Sequence, residues 1–277
     1  MPEPGFMLNP PQAYPSWDRF EEDLEALAGL GFSGVELALG DPAQLDAGRL
    51  AEALARRRLD LSSIATGASY FEEGLCLTSP DPANRAAAVA RLRAHVDLAA
   101  RFPARRSASA GRPVIVVGQL QGFKDDEPDR EVANDRTVAC LKEVADYAGS
   151  KEVLVVLEPV NRFEVGHNHT AAEVLELVER IGSPALTLML DTFHINIEEC
   201  SLDGPVQLAG RRLGHMHVFD NHRGLLGTGH LDLARILRAT LEAGYQRYWV
   251  CGDFSANNLA VRAGAAIDFL RRAGLMM

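Results

Sequence analysis

Residues 153–191 read VLVVLEPVNRFEVGHNHTAAEVLELVERIGSPALTLMLD, and the alternation of structural elements along the chain is clearest here. It contains two short apolar runs, each of which ends at a carboxylate, Glu158 or Asp191. Between the two runs lies an amphipathic segment at 171–181, rich in Glu and Leu, whose spacing is typical of a helix. Two apolar strands joined by one helix form the crossover unit that places strands parallel in a sheet.

The same alternation of short apolar runs and longer amphipathic runs extends along the whole chain. The predicted strands lie at 5–9, 33–38, 60–66, 113–118, 152–158, 186–191, 213–219 and 247–252. The predicted helices lie at 17–30, 44–57, 84–101, 130–148, 171–181, 196–209, 232–243 and 260–273. Eight such units predict an α/β fold, a (β/α)₈ TIM barrel that forms one domain over residues 1–277.

Two segments between these units are irregular. Residues 103–112, rich in Ser, Ala and Arg, are predicted to form a mobile surface loop. Residues 119–129 follow the fourth strand and are predicted to lie over the mouth of the barrel.

Composition excludes several classes of protein. The formal net charge of −10 opposes binding to a nucleic acid backbone. The sequence contains no run of 18 apolar residues, so it predicts no membrane span. The first residues lack the pattern of a secretory leader, and we therefore expect a cytoplasmic protein. Without CxxC spacing, the four cysteines are expected to be reduced core residues: Cys76, Cys140, Cys200 and Cys251.

Three polar residues at the ends of successive strands stand out as candidate metal ligands. Glu158, Asp191 and His217 would point toward a common axis at the end of the barrel where enzymes of this fold do their chemistry. Oxygen and imidazole ligands without thiolate suit Mn²⁺, Mg²⁺, Co²⁺ or Zn²⁺. Taken singly, Glu158 could be a surface carboxylate, Asp191 a helix cap and His217 a core histidine.

Four segments of the sequence resemble segments found in a known family of proteins. LEPVNRFE, LDTFHINIEE, HMHVFDNHRG and GTGHLD, between residues 157 and 232, resemble signature segments of the sugar phosphate isomerase/epimerase family. These xylose-isomerase-like barrels include ketose 3-epimerases and hydroxypyruvate isomerases. The resemblance implies that Glu158, Asp191 and His217 hold a divalent metal. It also implies that Glu158 is the base that removes a carbon-bound proton, giving a metal-stabilised enediolate.

The resemblance extends to contacts with the organic substrate. It implies that Glu164, His194 and Arg223 contact the hydroxyls and carbonyl of a sugar. Separately, Glu36 ends the second strand with the parity of a residue at the barrel mouth. It could hold a substrate hydroxyl or be a solvated loop carboxylate.

The last strand departs from the family pattern. The resemblance implies a glutamate as fourth metal ligand and second proton-transfer group, and Gly252 stands at its position. Asp253 is the adjacent carboxylate. It is a candidate fourth ligand if the strand ends in a bulge that turns it inward, and otherwise a cap or loop residue.

Two further histidines, His167 and His169, have the spacing of a metal pair. Because they precede a predicted helix, we expect a capping or loop role for them.

Three functions remain open at this point. The first is a metal-dependent isomerase or epimerase of a small ketose, sugar acid or sugar phosphate. The second is a lyase that dehydrates a sugar or polyol, and the third is a sugar-binding relative whose catalysis is impaired by the loss at Gly252. All three imply a small carbohydrate ligand, with no nucleic acid and no membrane, and we also expect a homo-oligomer.

Overall fold

The strands close into a barrel in the computed structural model, which describes residues 1–102 and 111–276. Neighbouring strands pair in parallel and in chain order, and the last strand pairs with the first. The strands are β1 (Glu3–Leu8), β2 (Gly34–Ala38), β3 (Asp60–Ala65), β4 (Val114–Val117), β5 (Val155–Leu157), β6 (Leu186–Asp191), β7 (Leu213–Val218) and β8 (Tyr248–Cys251). The predicted barrel is confirmed.

Helices surround the barrel. They are α1 (Trp17–Leu30), α2 (Ala47–Arg57), α3 (Ala68–Glu73), α4 (Pro82–Ala99), α5 (Arg130–Ser150), α6 (Ala171–Ile181), α7 (Thr192–Glu198), α8 (Gly204–Ala209), α9 (Leu233–Glu242) and α10 (Leu259–Arg272). The bounds of α1 and α6 agree with the prediction. Both helices have a side chain that caps their first turn, Ser16 for α1 and Thr170, in a capping box, for α6.

One prediction about the helices was wrong, and one helix was missed. The helix predicted at 196–209 is two helices, because Asp191 caps α7 directly after β6 and Pro205 lies in the first turn of α8. The short helix α3 was not predicted. Most of the loop predicted at 103–112 lies outside the described residues.

The main core lies between the barrel and its helices, whereas the barrel interior holds small separate clusters. On β8, Trp249 and Cys251 belong to the main core, and Tyr248 and Val250 pack inside the barrel with Met7. This alternation fixes which residues at the strand ends face the barrel axis.

The cysteine prediction holds at three positions and fails at one. Three of the four cysteines are buried, but Cys200 is exposed, because it follows the end of α7 in the turn before α8. Among the described residues, no helix is long and apolar enough to span a membrane.

Candidate metal centre and substrate cavity

Two carboxylates and one imidazole converge where β5, β6 and β7 end. Glu158, Asp191 and His217 each offer one ligand atom, and these atoms lie within 4.8 Å of one another. The Nδ1 atom of His217 is 3.8 Å from an oxygen of Glu158 and 3.8 Å from one of Asp191. All three side chains are buried. The residues that the sequence predicts as ligands are thus neighbours in space.

Glu158 is placed by its own strand and by the end of β4. Its backbone N–H donates to Val117, and its carbonyl accepts from the side chain of Gln121 at 2.8 Å. A Cβ atom on Gly118 would lie 2.5 Å from Oε2 of Glu158. The carboxylate therefore occupies space that only a glycine at position 118 leaves open, a requirement that sequence reasoning missed.

Asp191 has two roles at once. Its Oδ1 accepts from the backbone N–H of Phe193 at 2.7 Å and so caps α7. Its Oδ2 faces Nδ1 of His217 in the ligand cluster. The two interpretations of this residue, helix cap and metal ligand, are compatible because they use different oxygens.

Glu36 lies behind His217 and not at the cavity surface. Its carboxylate is 2.9 Å from Nε2 of His217 and 3.0 Å from Nε2 of His215, and it accepts from the Ser63 hydroxyl at 2.6 Å. It is completely buried and is not among the residues that line the cavity. Neither predicted position, on a substrate hydroxyl or in solvent, fits this geometry. A carboxylate behind a metal-ligating imidazole orients the ring instead.

Electrostatics in the cluster favour a bound cation. Burial, aided by the charge of Asp191, raises the pKa of the Glu158 carboxyl well above its usual range. Burial opposes the charged form of His217, but the carboxylates of Glu36, Glu158 and Asp191 outweigh it and raise its pKa to about 9. Two buried carboxylates this close repel each other, and a divalent ion would remove that repulsion. The donor set therefore fits a metal.

A second group of polar side chains lies beside the ligand cluster. Arg223 donates to Glu164 at 2.9 Å, and its Nη2 lies 3.3 Å from Nε2 of His194. His194 is 3.7 Å from Glu158, and its Nδ1 lies 2.8 Å from the side chain of Asn161. The three residues predicted to contact a sugar thus lie together next to the candidate ligands.

The guanidinium of Arg223 is held between aromatic rings. It stacks 4.0 Å from the ring centre of Phe193 and lies 5.4 Å from that of Phe254. Its backbone has a φ of 51°, which is uncommon for a residue with a side chain. The N–H of Arg223 donates to the carbonyl of Asp220, whose carboxylate in turn binds the N–H groups of Gly227 and Gly229. The loop after β7 therefore presents Arg223 in a fixed position.

Asp253 borders the cavity but does not join the ligand cluster. Its Oδ1 accepts from the N–H of Ser255 at 2.6 Å, as a loop carboxylate does. Among the described residues, the groups that could hold a metal do not include it. Strand β8 pairs with β1 and with β7 without a register shift up to Cys251, so no bulge in the paired part of the strand turns Asp253 toward the axis, and this geometry does not support it as the fourth ligand.

The remaining predictions concern loops. His167 lies 2.8 Å from the carbonyl of Glu127, and His169 lies 2.9 Å from that of Val160, as expected of loop histidines. The segment predicted to lie over the barrel mouth contributes Gln119 to the cavity lining.

One cavity of about 580 Å³ joins these features. It lies at the C-terminal end of the barrel and is lined by Glu158, Asp191, His194, His217 and Arg223, with Phe219 and Phe254 on the β8 side. A cavity of this size that is part apolar and part polar is typical of sites for small molecules.

Comparison with known proteins identifies the family. Residues 24–273 match the family described as the xylose isomerase-like TIM barrel. This chain belongs to that family. It is 32% identical over 270 residues to an L-ribulose 3-epimerase from Methylomonas sp. (strain DH-1), covering 90% of both chains. A ketose 3-epimerase from Arthrobacter globiformis is 30% identical over 230 residues, which are 83% of this chain and 76% of the relative.

A solved structure with a similar sequence has the same fold. The crystal structure of a D-allulose 3-epimerase from Methylomonas sp. in complex with D-allulose superposes with a TM-score of 0.83 at 28% identity, covering 98% of this chain and 97% of that one. The predicted resemblance is confirmed, and with it the prediction of an enzyme that acts on sugars.

Proposed function

We propose that this protein is a divalent-metal-dependent isomerase or epimerase of a small ketose, sugar acid or sugar phosphate. The observation that carries the proposal is the convergence of Glu158, Asp191 and His217 within 4.8 Å at the floor of a cavity large enough for a sugar. Relatives of similar length that bear the names of ketose 3-epimerases support it.

The roles of the residues follow from their positions. Glu158, Asp191 and His217 would hold a metal such as Mn²⁺, Mg²⁺, Co²⁺ or Zn²⁺. When bound, the ion supplies positive charge against the oxyanion that develops when a proton leaves the carbon beside a carbonyl. Glu158 takes that proton, since its carboxylate borders the cavity.

The second polar group orients the substrate. Arg223, Glu164 and His194 offer donors and acceptors to the hydroxyls of a sugar and fix which carbon faces Glu158. Orientation of this kind accelerates the reaction, because the substrate and the catalytic carboxylate are already positioned next to each other. A cytoplasmic location and assembly into homo-oligomers remain predictions.

The test removes the ligands one at a time. Glu158→Gln, Asp191→Asn and His217→Ala should each lower the bound metal measured by elemental analysis and abolish turnover of L-ribulose or D-allulose. Asp191→Asn is the sharpest variant, because Asn still caps a helix but brings no charge to a metal. Full metal occupancy in all three variants would refute the proposal.

A further inference from the structure

The wall of the cavity at the end of β8 is formed by an aromatic ring. Tyr248 and Val250 point into the barrel, so Gly252 is the next position on that face. A Cβ atom on Gly252 would lie 1.9 Å from Cζ of Phe219, and 2.3 Å and 2.7 Å from its two Cε atoms. The ring of Phe219 therefore occupies the space that a side chain at 252 would take.

The ring of Phe219 is held in place on several sides. It is 1% exposed, and its centre lies 5.0 Å from that of Phe254. The hydroxyl of Thr192 accepts from the N–H of Phe219 and donates to its carbonyl, at 2.8 Å and 2.6 Å. Hydrogen bonds thus hold both the N–H and the carbonyl of Phe219, so its ring has little freedom to shift.

Among the described residues, three carboxylates besides the candidate ligands border the cavity, those of Glu72, Glu164 and Asp253, whereas the inward-facing place at the end of β8 is taken by the ring of Phe219. Asp253 lies one residue beyond the inward-facing position 252; its Oδ1 accepts from the N–H of Ser255, and its Oδ2 is buried without a hydrogen-bond partner. Glu164 accepts from Arg223 and from Asn161, at 2.9 Å and 3.0 Å, in both cases through Oε1. Glu158 follows β5, with its Oε1 3.8 Å from Nδ1 of His217.

Inversion at a carbon needs one group to remove a proton and another to supply one from the opposite face. A phenyl ring has no proton to give. We propose that Phe219 makes this protein a one-base enzyme, in which Glu158 both removes and returns the proton and so interconverts ketose and aldose. The inference rests on the proposed function, and it narrows the reaction from epimerisation to isomerisation.

The atoms balance without an added reactant. Glu158 takes a proton from C1, the terminal hydroxyl-bearing carbon next to the ketone, and the electron pair of that C–H bond forms a carbon–carbon double bond as the ketone oxygen takes up negative charge. Glu158 then returns the proton, on the same face, to the former ketone carbon. The neighbouring hydroxyl gives its proton to that oxygen and becomes the aldehyde.

The first test measures whether the Phe219 ring fills the space next to Gly252. Gly252→Ala should lower the melting temperature of the wild-type protein by several degrees, because its methyl group meets the Phe219 ring. In a Phe219→Ala background the same change should cause no further loss. An equal loss in both backgrounds would show that the ring does not fill this space and would overturn the inference.

The second test follows the products. With Mn²⁺ and L-ribulose in D₂O, NMR should detect aldopentoses from the wild-type protein and no L-xylulose, which is the 3-epimer. The single variants Gly252→Glu and Phe219→Ala should each still form no L-xylulose. The double variant should form L-xylulose at a rate on the order of 100-fold above the detection limit of the assay, since it adds an acid where space has been made.

The outcomes separate the two proposals. L-xylulose carrying deuterium at C3 from the wild-type protein would refute the one-base inference and leave the proposed isomerase or epimerase intact. A double variant that binds metal and still forms no L-xylulose would also refute the role of Phe219. No turnover of L-ribulose, D-allulose or hydroxypyruvate by the metal-loaded wild-type protein would refute the proposed function, and the inference with it.

Discussion

Nε2 of His217 lies 2.9 Å from the buried carboxylate of Glu36, which leaves Nδ1 facing Glu158 and Asp191. The pair joins β2 to β7 across the inside of the barrel. A proton held on Nε2 by Glu36 keeps the lone pair of Nδ1 free for a metal.

Glu36→Gln should therefore weaken metal binding without removing a ligand. We expect a loss of roughly 10- to 100-fold in affinity for Mn²⁺, measured by calorimetry, because the amide holds the ring less firmly than a charged carboxylate. The matched control is Ser63→Ala, which removes a hydrogen bond to Glu36 but keeps its charge and should cost less. Unchanged affinity in Glu36→Gln would mean that this carboxylate does not orient His217.

Gly118→Ala should displace the carboxylate of Glu158. The new methyl group would lie 2.5 Å from Oε2, so the side chain must rotate away from Asp191 and His217. Metal affinity should fall while the melting temperature changes little. The control is Gly264→Ala in α10, where nothing lies within 4 Å and the change should stabilise the helix by up to about 1 kcal/mol. Normal metal binding by Gly118→Ala would contradict this account of Glu158.

Arg223→Ala should raise KM for a ketose substrate and leave metal binding intact. Its guanidinium contacts Glu164 and stacks on Phe193, but it is not a candidate ligand. Arg223→Lys should recover only part of the loss, because an ammonium keeps the charge but not the planar fork. Metal loss with unchanged KM would show that we have assigned Arg223 to the wrong part of the site.

His95 should make stability depend on pH. Burial lowers its pKa to about 4, from an unperturbed 6.5, although its two ring nitrogens lie 2.9 Å from the carbonyls of Arg91 and Leu39. As the pH falls, the unfolded chain takes up this proton first. The contribution of neutral His95 is thus complete above pH 6.5 and is lost between 6.5 and 4, by up to about 3 kcal/mol.

Urea unfolding at pH 7.5 and pH 4.5 measures this loss. Carboxylates also titrate in this range, so the informative quantity is the difference from His95→Gln, which has no proton to bind. The variant should lose less stability between the two values than the wild-type protein does. Equal losses would show that His95 does not titrate on unfolding in this window.

Local patterns predict the barrel and much of the site. Alternating apolar and amphipathic runs locate the strands, and parity along a strand places Glu158, Asp191 and His217 at one end of the barrel. The position of Glu36 could not be predicted, because its partner His217 is 181 residues away and only barrel closure brings them together.

The contact between Phe219 and Gly252 was missed for a related reason. In the sequence, Phe219 looks like the apolar end of β7, and Gly252 looks like open space into which a glutamate could return. A glutamate introduced at 252 alone would collide with the ring of Phe219, which already fills that space. Contacts between side chains of different strands depend on register, which one sequence does not reveal.

The Phe219 ring also limits the order in which this sequence can change. A side chain at 252 is blocked while the ring is present, so any mutational path that puts a carboxylate there must first place a smaller residue at 219. The reverse path is constrained as well, since Phe219 fits only opposite glycine. The effect of a change at either position thus depends on the residue at the other, and the two are expected to covary among homologues of this chain.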